Sequence, residues 1–304
     1  MTPQIVGAGL SGLIAAHAWP NAIVHERDPE PTQHHKALLR FRAEQVSALT
    51  GVEFRRVTVR KAIWDGGYVT PNLALANAYS AKVIGQIAND RSIWNLDPVE
   101  RWIAPEDFYT RLVDNVGRRI NWGRAIDIRR LVQEEQPVIT TVPLPATLKD
   151  LGMEFGEDVV FESSPINVRR YRVVGCDVFQ TLYFPRGDIN LYRASITGSL
   201  LIAESIGRSL AEDHEREILS MAFGVAPERL CSLESNKQRY GKIAPIRDSL
   251  RRALLLQMTE KWGVYSLGRF ATWRNILLDD LVHDIASIKK LITGDRYAGR
   301  LAAI

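Results

Sequence analysis

A brief apolar strand, Ile5-Val6, runs straight into Gly7-Ala8-Gly9-Leu10-Ser11-Gly12, and a helix of small and apolar residues, Leu13-Ile14-Ala15-Ala16, follows. A second apolar strand, Ala22-Ile23-Val24-His25, ends on Glu26, 26 − 7 = 19 residues after the first glycine. Strand, glycine turn, helix, strand and terminal acid in this register specify a βαβ unit that holds a dinucleotide. Gly7 permits the tight turn, Gly9 lets the backbone approach a pyrophosphate, and Gly12 lets helix and strand pack closely. The backbone of Ala8, Leu10 and Ser11 offers N–H groups at the positive end of the helix dipole. Glu26, followed by Arg27, can accept hydrogen bonds from a ribose diol. A glycine-rich turn in some other α/β protein would not need an acid at that distance.

The 304 residues suffice for one large domain or two ordinary ones. Hydrophobic content of 46% and charged content of 24% are those of a soluble globular chain. The net charge of +4 permits an anionic partner without demanding one. Cys176 and Cys231 stand far apart and outside any metal-ligand spacing, which indicates a reducing compartment and no disulfide framework. The apolar N-terminus lacks the basic flank of a signal peptide, and no apolar run reaches membrane-spanning length. These features predict a cytoplasmic protein without membrane attachment; oligomeric state is not legible.

Beyond a proline-broken loop at 27–31, the basic cluster His34-His35-Lys36 and Arg40-Phe41-Arg42 precedes a helical pattern through Val46 and Leu49 to a stop at Gly51. Arg40 or Arg42 either faces solvent or pairs with a phosphate or an anionic cofactor ring. Residues 57–75, with Asp65-Gly66-Gly67, predict a hairpin. Pro105-Glu106-Asp107 opens a helix with the stripe Phe108, Leu112, Val113 and Val116. A strand pair broken by glycine is expected at 119–128, and a buried strand at 138–145. Three strands are expected at Val159–Phe161, Val168–Val174 and Val178–Phe184, then helix over 200–220 and helix with loop over 227–262. A strand at 263–267 leads into Gly268-Arg269-Phe270-Ala271-Thr272-Trp273. The closing amphipathic helix carries Leu277, Leu281, Val282, Ile285, Ile288 and Ile292, with Asp279 and Asp280 in its first turns.

The N-terminal unit, Thr140-Thr141-Val142-Pro143 and the strand-Gly268-Arg269-helix element together resemble the FAD-binding domain of the glutathione-reductase-type flavoproteins. The closest resemblance is to the branch of amine oxidases, protoporphyrinogen oxidase and UDP-galactopyranose mutase. It covers roughly half the chain and implies an α/β fold: a Rossmann-type FAD-binding domain with a smaller, β-rich α+β substrate domain. The implied division assigns 1–75, 105–150 and 260–304 to the FAD domain and 76–104 and 151–259 to the substrate domain. By position, Arg269 would contact the FAD pyrophosphate. The backbone from Trp273 through Asn275 to Ile276 would lie at the flavin's pyrimidine edge, and Ala125 and Ile126 would match the segment that holds adenine. The mutase's Gly- and His-rich flavin loop has no counterpart; His34-His35 fall too early and lack its glycine. No cysteine pair of the disulfide-reductase type and no second glycine fingerprint for a nicotinamide occur.

With a flavin as the reactive group, protein acids and bases can be few, and no catalytic residue is identifiable. The six histidines show no metal spacing, and no Gly-x-Ser-x-Gly elbow occurs. Three functions compete: an FAD oxidoreductase acting on a carbon–nitrogen bond of an amine or amino-acid-like substrate, a mutase-like flavoenzyme without net redox change, and a noncatalytic flavin- or nucleotide-binding sensor. In the middle of the chain, Tyr183, Arg186 and Arg193 lie near turns and suit an anionic or stacked ligand. Arg169 and Arg170 suit cross-strand pairing on a solvated face. The short, basic chain is also similar to phage-encoded flavoproteins that process amino-acid-decorated thymine in DNA, which would make the substrate nucleic-acid-linked.

Overall fold

The computed structural model describes residues 2–36, 39–87, 93–134, 136–156 and 159–301. The first half of the chain runs β1 (Gln4–Val6), α1 (Leu10–Ala18), β2 (Ile23–His25), β3 (Arg40–Phe41), α2 (Gln45–Thr50), β4 (Arg55–Trp64) and β5 (Tyr68–Val69). It continues through α3 (Leu73–Ile84), β6 (Val99–Ile103), α4 (Phe108–Val116), β7 (Ile120–Asn121), α5 (Ile128–Val132), β8 (Val138–Thr140) and α6 (Leu144–Asp150). The second half gives β9 (Ser163–Val173), β10 (Val178–Tyr183), β11 (Leu191–Gly198), β12 (Leu200–Ile206) and α7 (Glu212–Phe223). It closes with β13 (Leu230–Ile243), α8 (Asp248–Trp262), β14 (Val264–Ser266) and α9 (Asp280–Leu301).

Five strands form a parallel sheet in the order β14-β8-β1-β2-β7. β1 has its sequence neighbour β2 on one side and the much later β8 on the other, so the strand order reverses at β1, where this architecture places a ligand. Both faces are covered, as parallel strands require. Leu13, Phe108, Leu112, Leu281 and Ile285 pack one face through α1, α4 and α9. Ile128, Leu144, Leu148, Leu254 and Met258 pack the other through α5, α6 and α8.

The second sheet has nine strands in the path β13-β9-β12-β11-β10-β4-β6-β3, with β5 paired to β4. Its pairs are antiparallel except that of β4 with β10. α7 packs Ile218, Leu219 and Ala222 on Leu182, Ala194 and Leu201. Tyr79 and Val83 of α3 join Ile63, Tyr192 and Ile202 in a separate cluster. The two sheets are interleaved in sequence: β1 and β2, then β3 to β6, then β7 and β8, then β9 to β13, then β14. The hairpin of β4 and β5 forms around Asp65-Gly67, but its strands lie in the nine-stranded sheet rather than beside the glycine turn. α8 likewise packs on the parallel sheet, although its residues fall in the range expected for the substrate half.

Several elements depart from expectation for identifiable reasons. Residues 200–206 are a strand, and the helix expected there begins only at Glu212. Leu200 to Ser205 are buried without alternation, and a short apolar run covered on both faces carries no period to separate strand from helix. Residues 230–243 form the long edge strand β13, where helix and loop were expected. Glu234, Lys237 and other polar residues stand on that edge, and they hide the strand pattern. Val159 to Phe161 are irregular, with Phe161 edge-on to Trp273 instead of in a ladder. The strand pair expected at 119–128 is β7 alone, followed by a turn at Gly123. The closing helix starts at Asp280, leaving Leu277 exposed, while Leu281, Ile285, Ile288 and Ile292 are buried as expected. Among the described residues, no helix is long and apolar enough to cross a membrane.

Candidate functional site

At the C-terminal end of β1 the chain is shaped around close approaches. Gly7 has φ +102°, and a Cβ there would fall 2.3 Å from Thr141 Oγ1. A Cβ on Gly12 would fall 1.9 Å from the Gly7 carbonyl oxygen. At Gly9 a Cβ would meet nothing within 4 Å, so the backbone faces open space. α1 begins there with no capping side chain and no acid in its first turn, leaving its first N–H groups for an external anion. Glu26 accepts hydrogen bonds from the backbone N–H of Ala8 at 2.6 Å and of Asp28 at 3.1 Å. A carboxylate has further lone pairs, so the same side chain can still take a ribose hydroxyl while it ties β2 to the glycine turn. These residues fit the adenosine and pyrophosphate of a dinucleotide.

The C-terminal motif arrives at the same place. Leu267 N–H donates to the Thr140 carbonyl, and Gly268, at φ +95°, lies so close to α1 that a Cβ would sit 2.6 Å from Ser11 Oγ. Arg269 Nη2 donates to Asn275 Oδ1 at 3.1 Å, which closes the turn leading to Ile276. The Trp273 side chain points away from this edge. It is 1% exposed, donates from Nε1 to the Ala244 carbonyl and stands edge-on to Phe161. Its backbone has φ 47°, a left-handed conformation that a bulky residue adopts only when its surroundings hold it there.

Arg269 is also in electrostatic reach of a polar cluster on β11 and β12. Arg193 Nε donates to Glu204 Oε2 across the β11–β12 pair. Glu204 is 2% exposed at its side chain and Arg193 33%. Burial pushes the Glu204 pKa up, and Arg193, then Lys242 and His35, more than reverse this, leaving the carboxyl below its ordinary value. Burial opposes the charge on Arg193, but Glu204 outweighs it and holds the guanidinium protonated. Beside them burial pushes the Tyr192 pKa well up and lowers that of His35 to about 4, so both are neutral near pH 7. The Lys242 ammonium lies 4.5 Å from the Tyr192 ring centre. The Tyr79 and Tyr183 rings meet edge-on at 5.3 Å.

The expected cofactor residues thus converge in part. Gly7, Ala8, Gly9, Leu10, Ser11, Gly12, Glu26, Gly268 and Arg269 meet at the C-terminal end of the parallel sheet. Ala125 and Ile126 follow β7 in a loop beside it, because Arg124 N–H donates to the Glu26 carbonyl. Arg27 does not join them: its side chain is 81% exposed and its partner is Asp28. Arg40 lies deep against β10 and β11 and donates to Thr181 Oγ1, Thr197 Oγ1 and the Gln180 and Ile196 carbonyls. Burial, then Arg193, lowers its pKa to about 9, and it remains charged. Arg42 ion-pairs with Asp279 and Asp280 at the start of α9 instead of reaching a phosphate or ring. Of the substrate candidates, Tyr183 and Arg193 face the cluster, whereas exposed Arg186 pairs with Asp188. Glu204, Lys242, Tyr79 and the depth of His35 escaped the sequence reading. A single acid inside the apolar run Leu200-Leu201-Ile202-Ala203-Glu204 was the available signal.

Glu26→Ala should weaken cofactor binding by tenfold or more, since each charge-assisted hydrogen bond to a ribose hydroxyl is worth about 1.5–3 kcal/mol. Equilibrium dialysis of the purified variant checks this. Unchanged occupancy would separate Glu26 from the ribose.

No family model matches the chain, and no curated protein matches it in sequence. Solved structures do. A reduced UDP-galactopyranose mutase is 14% identical with a TM-score of 0.66, the match covering 96% of this chain and 95% of that one. A CLA-producing fatty acid isomerase from P. acnes is 11% identical with a TM-score of 0.58, over 95% and 98% of the two chains. The PF1083 protein from Pyrococcus furiosus is 11% identical with a TM-score of 0.53, over 96% and 98%. The chain shares the Rossmann-type α/β fold of these structures.

Proposed function

We propose that the chain is an FAD-dependent oxidoreductase that removes hydride from a carbon bonded to nitrogen in a small amine or amino-acid-like substrate. The observation that carries this is the cationic cluster in reach of Arg269, itself fixed at the glycine-turn edge. Bound FAD supplies the hydride acceptor. Gly7 to Gly12, Glu26 and Arg269 would hold its pyrophosphate and ribose, Ala125 and Ile126 its adenine, and the backbone from Trp273 to Ile276 its ring. Among the described residues in the cluster, Arg40, Arg193, Arg269 and Lys242 stand around Glu204. Positive surroundings disfavour an ammonium, so a substrate amine there loses its proton more readily. The neutral amine has the lone pair that forms the C=N bond as hydride leaves the adjacent carbon. Neutral Tyr192 and His35 add hydrogen-bonding groups without competing charge.

The same cationic cluster suits a diphosphate, which favours a second reading, a reaction like that of UDP-galactopyranose mutase with no net redox change. We extend the first reading to an amine carried on a modified nucleobase, with Arg186 outside the cluster as the residue able to meet a phosphate once released from Asp188. One experiment covers these. The FAD-loaded protein is mixed without oxygen with free amines and with DNA bearing amine-modified thymine, and flavin absorbance is followed. Bleaching by either substrate, reversed by oxygen with peroxide formed, is the expected result, and the substrate that works selects between free and DNA-linked amines. Turnover that begins only after chemical reduction and consumes no oxygen would overturn the oxidase reading.

A further inference from the structure

Two polar atoms close to the Arg193–Glu204 pair are enclosed without a hydrogen-bond partner among the described residues: Tyr192 Oη and His35 Nε2. Enclosing such groups unpaired costs free energy unless a ligand completes them. Both lie in the electrostatic reach of Arg193, Glu204 and Arg269. Resting on the site assignment above, we propose that Arg193, Tyr192 and His35 form a receptor for a single oxyanion of the substrate, a carboxylate or a phosphate group.

The geometry of the arginine supports this. Glu204 takes its Nε, which fixes the guanidinium from behind, and no acceptor among the described residues takes the Nη1–Nη2 edge. That edge belongs to a side chain one-third exposed, while the acid behind it is almost fully enclosed. A guanidinium fixed in this way presents two parallel donors, the arrangement that matches an oxyanion. The Tyr192 hydroxyl can donate a third hydrogen bond, and a neutral His35 protonated on Nε2 a fourth. Charge agrees with geometry. Among the described residues the hydrogen-bond acceptors of Arg40 are all neutral, which adds positive charge beside Arg193. The irregularity between Leu191 and Arg193 in the pairing with β12 re-aims these successive side chains.

Isothermal titration of the FAD-loaded protein with acetate and with inorganic phosphate tests the receptor. Saturable binding of one of them is expected, acetate indicating an amino-acid-like carboxylate and phosphate a phosphorylated substrate. Tyr192→Phe and His35→Asn should each weaken that binding about tenfold, the equivalent of roughly 1.4 kcal/mol. Neither variant should melt below the parent in the absence of anion, because neither atom has a partner to lose among the described residues. Heat from neither anion in a fully yellow preparation, or equal affinity in parent and variants, would overturn the proposal. The titration is repeated on cofactor-free protein, since Tyr192, Arg193 and Glu204 belong to adjacent strands of one sheet. Binding that persists in protein unable to take up FAD would keep the receptor and remove the flavin assignment; absence of binding in both forms removes the receptor alone.

Discussion

Gly12→Ala is expected to lower the melting temperature and to abolish retention of FAD through gel filtration. The direction runs against intuition, because alanine normally stabilises a helix over glycine by about 0.8–1.0 kcal/mol. Here the new methyl would fall 1.9 Å from the Gly7 carbonyl oxygen, a backbone atom that cannot rotate away. Helix α1 must lift from β1, at a cost of about 1–3 kcal/mol for overpacking, and its N-terminus leaves the position that meets the pyrophosphate. Gly9→Ala is the informative contrast. Its methyl meets no protein atom, so folding should be preserved while FAD affinity falls, because the open space is where the cofactor approaches. A Gly12→Ala protein that melts with the parent and stays yellow would show slack between helix and strand that the structure lacks.

Arg193→Met is expected to be the most destabilising substitution in the polar cluster. It leaves Glu204, 2% exposed, as an enclosed carboxylate without its main partner. Breaking a buried pair costs about 3–5 kcal/mol, and the open edge of Arg193 puts this case toward the lower end. Adding Glu204→Gln should recover most of the loss, because it removes the stranded charge. The pH dependence has a definite sign. In the parent the Glu204 pKa is below its unfolded value, so its stabilisation is present above that unfolded value and is lost as pH falls through the folded one. Without Arg193, burial dominates and raises the Glu204 pKa, so the variant's deficit should shrink as acid protonates the carboxyl. Urea titrations of the three proteins at neutral and mildly acidic pH decide it. A deficit independent of pH and unrelieved by Glu204→Gln would mean that Arg193 acts through packing alone.

The glycine turn and Glu26 were legible in the sequence because their constraints are local: each residue type answers to backbone geometry a few positions away. Gly268 was legible only through its strand and following helix, and its contact with Ser11 joins residues 257 positions apart. The Arg193–Glu204 pair was not legible. It depends on a cross-strand register that an irregularity displaces by one residue, and no local pattern encodes such a shift. β12 and β13 were lost for opposite reasons, one too uniformly apolar to show a period and the other too polar at its exposed edge. His35 lies within a loop, and the charged groups in its reach, Glu204, Arg269 and Arg193, are far away in sequence, which its neighbours in sequence do not announce.

The interleaving of the two sheets limits how the molecule can move and how it can assemble. Four covalent passages tie the halves together, where a hinged two-domain enzyme has one or two. A rigid-body swing would have to bend all four at once, so substrate admission falls to side chains and loops at the rim. Neither half can be cut out as a separate fragment, because the large sheet needs β3 to β6 from before β7 and the parallel sheet needs β14 from the far end. β14 pairs with β8 across more than a hundred residues, so the Gly268–Arg269 turn cannot take its place until the intervening sheet has formed. That end of the candidate site should therefore be among the last regions to order, and a chain still being synthesised cannot close it before β14 is made.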